Sequence, residues 1–187
     1  MLAAERRLRY SGTRIAEQFA RQYLLNPTPT RGYELCKYIF KIWASQSGNR
    51  VFGKLETKNA DLGQQLHKKF QKINLIVVQS DRNFEMKCIE QLSKINGLGI
   101  SYSSKLLKIL YPRKFATLDS ILRDELGYQE SLESYQAFID ELHRFKRDYK
   151  IPISISKIEA TLFVLISSKL KNKKLDDEYK CFNYKFI

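Results

Sequence analysis

Cysteine and histidine are scarce in this chain, and their scarcity removes whole classes of chemistry. The cysteines are Cys36, Cys88 and Cys181, and the histidines are His67 and His143. Three scattered cysteines cannot build a disulfide framework, a zinc site of paired cysteines or a four-cysteine iron–sulfur cluster. Buried, reduced thiols are expected, and no metal site is expected. Proline occurs only at Pro27, Pro29, Pro112 and Pro152, where it punctuates the chain. No apolar run approaches the length of a bilayer span, and Met1-Leu2-Ala3-Ala4-Glu5-Arg6-Arg7 lacks the apolar block of a signal peptide. A soluble, intracellular protein with no membrane partner is the expectation.

Acidic residues are also in short supply. Lysine and arginine total 33 against 20 aspartates and glutamates, giving a net charge of +13 and a pI near 9.6. Such an excess points to a polyanionic partner, nucleic acid before others. The apolar fraction of 43% suffices for a core. The length of 187 residues suits one compact helical domain over 1–187, or two lobes with a cleft between them.

Apolar residues recur at helical spacing along most of the chain. Residues 2–25 read as a helix through Leu8, Ile15, Phe19 and Tyr23, ended by Asn26-Pro27-Thr28-Pro29. Thr30 is placed to cap the next helix, with Leu35, Ile39, Ile42 and Trp43 on one face, and Ser47-Gly48-Asn49-Arg50 breaks it. A third helix is predicted over 55–73. Leu75-Ile76-Val77-Val78 reads as helix or linker, because no second strand is present to pair with it. Ser80 or Asp81 then caps a helix through Phe84, Cys88, Leu92 and Ile95. A short helix through Leu106 and Leu110 stops at Pro112, and another spans Asp119 to Leu126. Ser131 starts a long amphipathic helix, and Ser156-Lys157-Ile158-Glu159 has the form of a capping box. Residues 171–187 form a charged tail with Tyr179, Phe182, Tyr184 and Phe186. The fold class is all-α, with roughly eight helices on the usual length statistics.

Between two of these helices lies Ile95-Asn96-Gly97-Leu98-Gly99-Ile100-Ser101. A two-glycine turn that opens a helix presents backbone amides to an anion. Farther on, Phe115-Ala116-Thr117-Leu118-Asp119 places a carboxylate directly after an apolar run. Asp119 is also well suited to cap the helix that follows, and capping does not preclude a chemical role.

The order helix, apolar-x-Gly-apolar-Gly, helix resembles the helix-hairpin-helix motif, with Asn96 where many members carry proline. Aligned on Gly97 and Gly99 without gaps, Asp119 falls on the catalytic aspartate of the helix-hairpin-helix DNA glycosylase superfamily. The flanking Phe-x-x-Leu-Asp is similar to the adenine glycosylase branch, although the chain lacks that branch's iron–sulfur cysteines. The resemblance covers residues 84–126, hairpin plus aspartate loop; elsewhere it extends only to helical character and size.

The resemblance implies an all-α, helix-hairpin-helix DNA glycosylase-like bundle. Its activity would be cleavage of the N-glycosidic bond of a damaged or mismatched base in double-stranded DNA, within base-excision repair. Asp119 would stabilise the oxocarbenium-like sugar or direct water. Ser101 occupies the position of the Schiff-base lysine of bifunctional members, and a serine forms no imine, so the implied enzyme is monofunctional. Gly97, Leu98 and Gly99, with Ser101 and Lys105, would hold a DNA phosphate, with a structural monovalent cation at the hairpin as the one cofactor to expect. Gln46, Asn49, Arg113 and Lys114 are further candidate DNA contacts, and Lys108 adds charge nearby. A monomer in the cytoplasm, associated with the nucleoid, is the matching expectation. The alternative is a non-catalytic helix-hairpin-helix DNA-binding module or subunit in which Asp119 is only a cap.

Overall fold

The computed structural model describes residues 11–43 and 48–170. Among them are nine helices and no strand: α1 Ser11–Leu25, α2 Pro29–Trp43, α3 Gly48–Lys58, α4 Leu62–Gln79, α5 Phe84–Ser93, α6 Ile100–Leu110, α7 Ser120–Leu126, α8 Leu132–Asp148 and α9 Ile155–Leu170. The fold is all-α. The start of the first predicted helix, Cys181, and the aromatic tail over 171–187 lie outside the described residues.

Helix α6 organises the packing because it is apolar on several sides. Leu106, Leu107, Ile109 and Leu110 are buried along it, as are Ser103 and Ser104. It packs against α1, α2 and α5, while α5 reaches α4 and α8, and α9 packs on α7 and α8. The buried apolar side chains join into one cluster that includes Leu35, Phe40, Phe70, Leu92, Phe115, Tyr135 and Ile155. Cys36 and Cys88 are buried free thiols within it. Desolvation raises the Cys88 thiol to about 12, so it stays protonated and unreactive near neutrality.

Several helix ends differ from the sequence reading. Helix α2 begins at Pro29, and the Thr28 side chain, rather than Thr30, accepts from the Arg31 N–H at 3.3 Å. Proline at the first helical position has no N–H to satisfy and a φ already suited to helix. The predicted helix over 55–73 is in fact two. Gly48, Asn49 and Arg50 belong to α3, and the chain breaks at Asn59-Ala60-Asp61, where Asp61 turns to a left-handed φ of 55°. Leu75–Val78 continues α4, with Val77 buried and Leu75 and Val78 exposed.

Neither Ser80 nor Asp81 caps α5. Ser80 is instead the left-handed C-cap of α4, and the residue before α5 is Asn83, without a side-chain cap. Ser131 caps α8 as expected, accepting from the Ser134 N–H at 3.1 Å. The capping-box reading of 156–159 fails. Helix α9 starts at Ile155, and Ser156 and Glu159 are both buried inside its first turns.

Candidate functional site

The hairpin forms where the sequence places it. Gly97 takes a left-handed φ of 90°, Leu98 drops into the core, and Gly99 is the extended residue before α6. The two glycines differ in physical necessity. A side chain at Gly97 would be strained by its backbone, at about 1–2 kcal/mol. Gly99 has φ −72° and ψ 177°, open to any residue, and an added Cβ there would meet only the Glu130 carboxylate at 3.6 Å. Its lack of a side chain leaves open space in front of the first N–H groups of α6.

The turn is held from a distant part of the chain. Asn59, buried between α3 and α4, donates from Nδ2 to the Asn96 carbonyl at 2.8 Å and accepts from the Asn96 N–H at 3.1 Å. Exposed Lys58 lies alongside, its Cδ 3.8 Å from the Cβ position of Gly97. Neither residue carries a motif that could have flagged it.

Asp119 stands one helix and one loop away. Its Oδ1 accepts from the Leu122 N–H at 3.0 Å, so the expected N-cap is present. The carboxylate is half-buried. The preceding Phe115–Leu118 segment is buried throughout and hydrogen-bonded by two helices. Ser104 Oγ on α6 accepts from the Leu118 N–H at 3.3 Å and donates to the Ser101 carbonyl at 2.9 Å. The Tyr135 hydroxyl on α8 donates to the Ala116 carbonyl at 3.1 Å. The Thr117 backbone acts to lower the carboxyl of Glu159 on α9. Ser103 and Ser104 are thus buried, and Ser104 fixes the aspartate loop. Rigid loop placement of this kind keeps a carboxylate in one geometry without help from a ligand.

Charge gathers around the same point. Lys108 pairs with buried Glu159, bridging α6 to α9. Burial holds the Glu159 carboxyl above its ordinary range, against the opposing pull of Lys108. Lys105 lies over the Tyr102 ring, 4.9 Å from its centroid, and Tyr102 stacks flat on Phe40 at 4.0 Å. Burial lowers the Lys105 ammonium, while Asp119 and Glu159 act to raise it. Asp119 and Lys105 therefore share one electrostatic environment. Ser101 is half-buried at the start of α6.

The remaining candidates divide. Arg113 is exposed beside the aspartate loop. The Lys114 ammonium donates to the Val77 carbonyl at 2.9 Å and to Ser80 Oγ at 2.6 Å, and lies 5.0 Å from the Phe84 ring centroid. That is a structural task at the end of α4. Lys108 is likewise engaged with Glu159. Asn49 falls within α3, and Gln46 lies outside the described residues.

Two open hollows lie on the surface of the described residues. One of about 350 Å³ is lined by Asp140, Glu141, His143, Arg144 and Arg147 on α8. The other, about 580 Å³, lies between the start of α2 and the α3–α4 break, with Tyr33, Glu56, Asn59 and Asp61 in its wall. Asp119 lines neither. Among the described residues no cluster of histidine, cysteine and carboxylate side chains is arranged to hold a metal ion, and no helix is long and apolar enough to cross a membrane. Comparison of the chain with protein-family models, curated proteins and solved structures yields no match.

Proposed function

We propose that this protein is a DNA glycosylase-like enzyme that releases a damaged or mismatched base from double-stranded DNA by hydrolysis of the N-glycosidic bond. The observation that carries the reading is the coupling of two parts through α6. At its N-terminus stands the glycine hairpin, and beside its middle a buried loop holds Asp119. A DNA phosphate would meet the amides around Gly97, Leu98 and Gly99, with Lys58 alongside. Asp119 would then face the sugar of an extruded nucleotide.

The roles follow from charge. Loss of the base leaves positive charge on the sugar, and a fixed carboxylate stabilises that charge in the transition state or orients the attacking water. Asp119 has one oxygen held by the Leu122 N–H, which fixes its direction and leaves the other oxygen for that task. Ser101 offers no amine, so strand cleavage through an imine at that position is not part of the scheme. The basic surface supplies sequence-independent affinity that weakens with salt.

A second reading, a non-catalytic helix-hairpin-helix DNA-binding module, is favoured by one observation: Asp119 already has a structural task, capping α7 through the Leu122 N–H. The test uses duplexes carrying uracil, 8-oxoguanine, adenine opposite 8-oxoguanine, or alkylated purine, with alkali to cleave abasic sites. An alkali-dependent product from one of these duplexes is the expected result. Salt-sensitive duplex binding with no product from any of them would leave the binding module as the function.

A further inference from the structure

Resting on the reading of the hairpin as a phosphate site, one contact says how strongly that site is used. The loop between α7 and α8 carries Glu130, whose Oε1 lies 3.6 Å from the Cβ position of Gly99. Its Oε2 accepts from Arg123 Nη1 at 2.7 Å, and Arg123 Nε also donates to Asp124 at 3.0 Å. A carboxylate thus stands beside Gly99, the residue that precedes α6, and negative charge is favoured near a helix N-terminus. The same carboxylate engages Arg123, a cation that could otherwise meet a DNA backbone.

We propose that Glu130 is an internal competitor for DNA phosphate at the hairpin, and that it holds down affinity for undamaged duplex. Gly99 supports this independently of charge. Its backbone conformation requires no glycine, and the space left by the missing side chain is the space the Glu130 carboxylate borders. A phosphodiester approaching Gly99 would meet that carboxylate first and would have to displace it. Displacement leaves the helix end, and Arg123 with it, facing the new anion. The side chain is 60% exposed, so it can swing into solvent without disturbing the core.

Such a competitor discriminates between DNAs. Undamaged duplex gains only backbone contacts and pays the displacement in full. A duplex that also places a nucleotide at Asp119 recovers it through the added contacts. Glu130 would therefore set the gap between searching and engaged binding, and its removal would narrow that gap.

The test compares Glu130→Gln with Glu133→Gln, which removes an equal charge from an exposed position in the first turn of α8. Affinity for an undamaged duplex is measured across a salt series. The expected result is a gain of about three- to tenfold for Glu130→Gln and under about twofold for Glu133→Gln, the scale of a charge at a helix end against a remote surface charge. The salt slope of Glu130→Gln should steepen by about one. Equal gains in the two variants, or no gain in Glu130→Gln while the parent binds DNA, overturn the proposal. A sulfate titration followed at the amides of Ile100, Ser101 and Tyr102 separates it from the hairpin reading. Those amides should respond at lower sulfate in Glu130→Gln than in the parent. No amide response in either protein, or duplex binding absent from both, would refute the phosphate reading; a response at the same sulfate in both proteins would refute the competition proposed here.

Discussion

Asp119→Asn is expected to slow base release at least about a hundredfold, the scale of losing one preorganised electrostatic contact to a transition state. Duplex affinity should stay within about twofold of the parent, and Tm should be nearly unchanged. The separation is possible because asparagine is as good an N-cap as aspartate. Its side-chain oxygen can still accept from the Leu122 N–H, so α7 and the buried 115–118 segment keep their anchor. Only the negative charge is lost. A variant that is inactive and also unfolded or unable to bind DNA would instead mark Asp119 as structural. Single-turnover assays alongside a thermal melt and a binding isotherm distinguish these results.

Glu159→Ala is expected to destabilise the protein by about 3–5 kcal/mol, the range for removing one partner of a buried ion pair. For a chain of this size that is a fall of roughly 6–20 °C in Tm. The Lys108 ammonium, whose side chain is 17% exposed, loses its carboxylate partner. Replacing both ends with apolar residues, as in Lys108→Met with Glu159→Leu, should recover much of the loss because no charge is then left unpaired. A double variant no more stable than Glu159→Ala would show that the destabilisation comes from repacking. The pH profile adds an independent check. Burial raises the folded pKa of Glu159 above its ordinary value near 4.5, so its stabilising contribution is whole below that value and is lost as pH rises through the raised one. The parent should show this component in its stability between those limits, and Glu159→Ala should lack it.

The parts of the site legible in the sequence were those encoded locally. Gly97 and Gly99 stand two residues apart, Asp119 follows an apolar run on one stretch of chain, and its capping role needs only the three residues after it. The supports are a different matter. Asn59 reaches the hairpin from 37 residues away, Tyr135 reaches Ala116 from 19 away, and Glu159 reaches Lys108 from 51 away. No periodicity or turn signal announces such contacts. A local rule even misdirected the reading at Glu159: Ser156 and Glu159 satisfy the spacing of a capping box, but helix α9 begins earlier and turns the glutamate inward. Lys114 shows the same limit in reverse. As a sequence feature it is a cation beside the aspartate loop; in the fold it is held by Val77 and Ser80. The all-α class survived these local errors because it rests on the apolar spacing of whole helices, which the shifted ends at Thr28, Asn59 and Asn83 do not alter.

The central claim is that Asp119 faces developing positive charge on a deoxyribose. It can be tested without knowing the base that is removed, by comparing two duplexes that differ only at one abasic-site analogue. One carries a neutral tetrahydrofuran and the other a cationic pyrrolidine, which imitates the charge of the transition state. Because an enzyme binds its transition state more tightly than its ground state, the parent should prefer the pyrrolidine duplex by roughly tenfold or more. Asp119→Asn should bind the two duplexes alike. Equal binding by the parent, or a preference that survives in Asp119→Asn, would contradict the account.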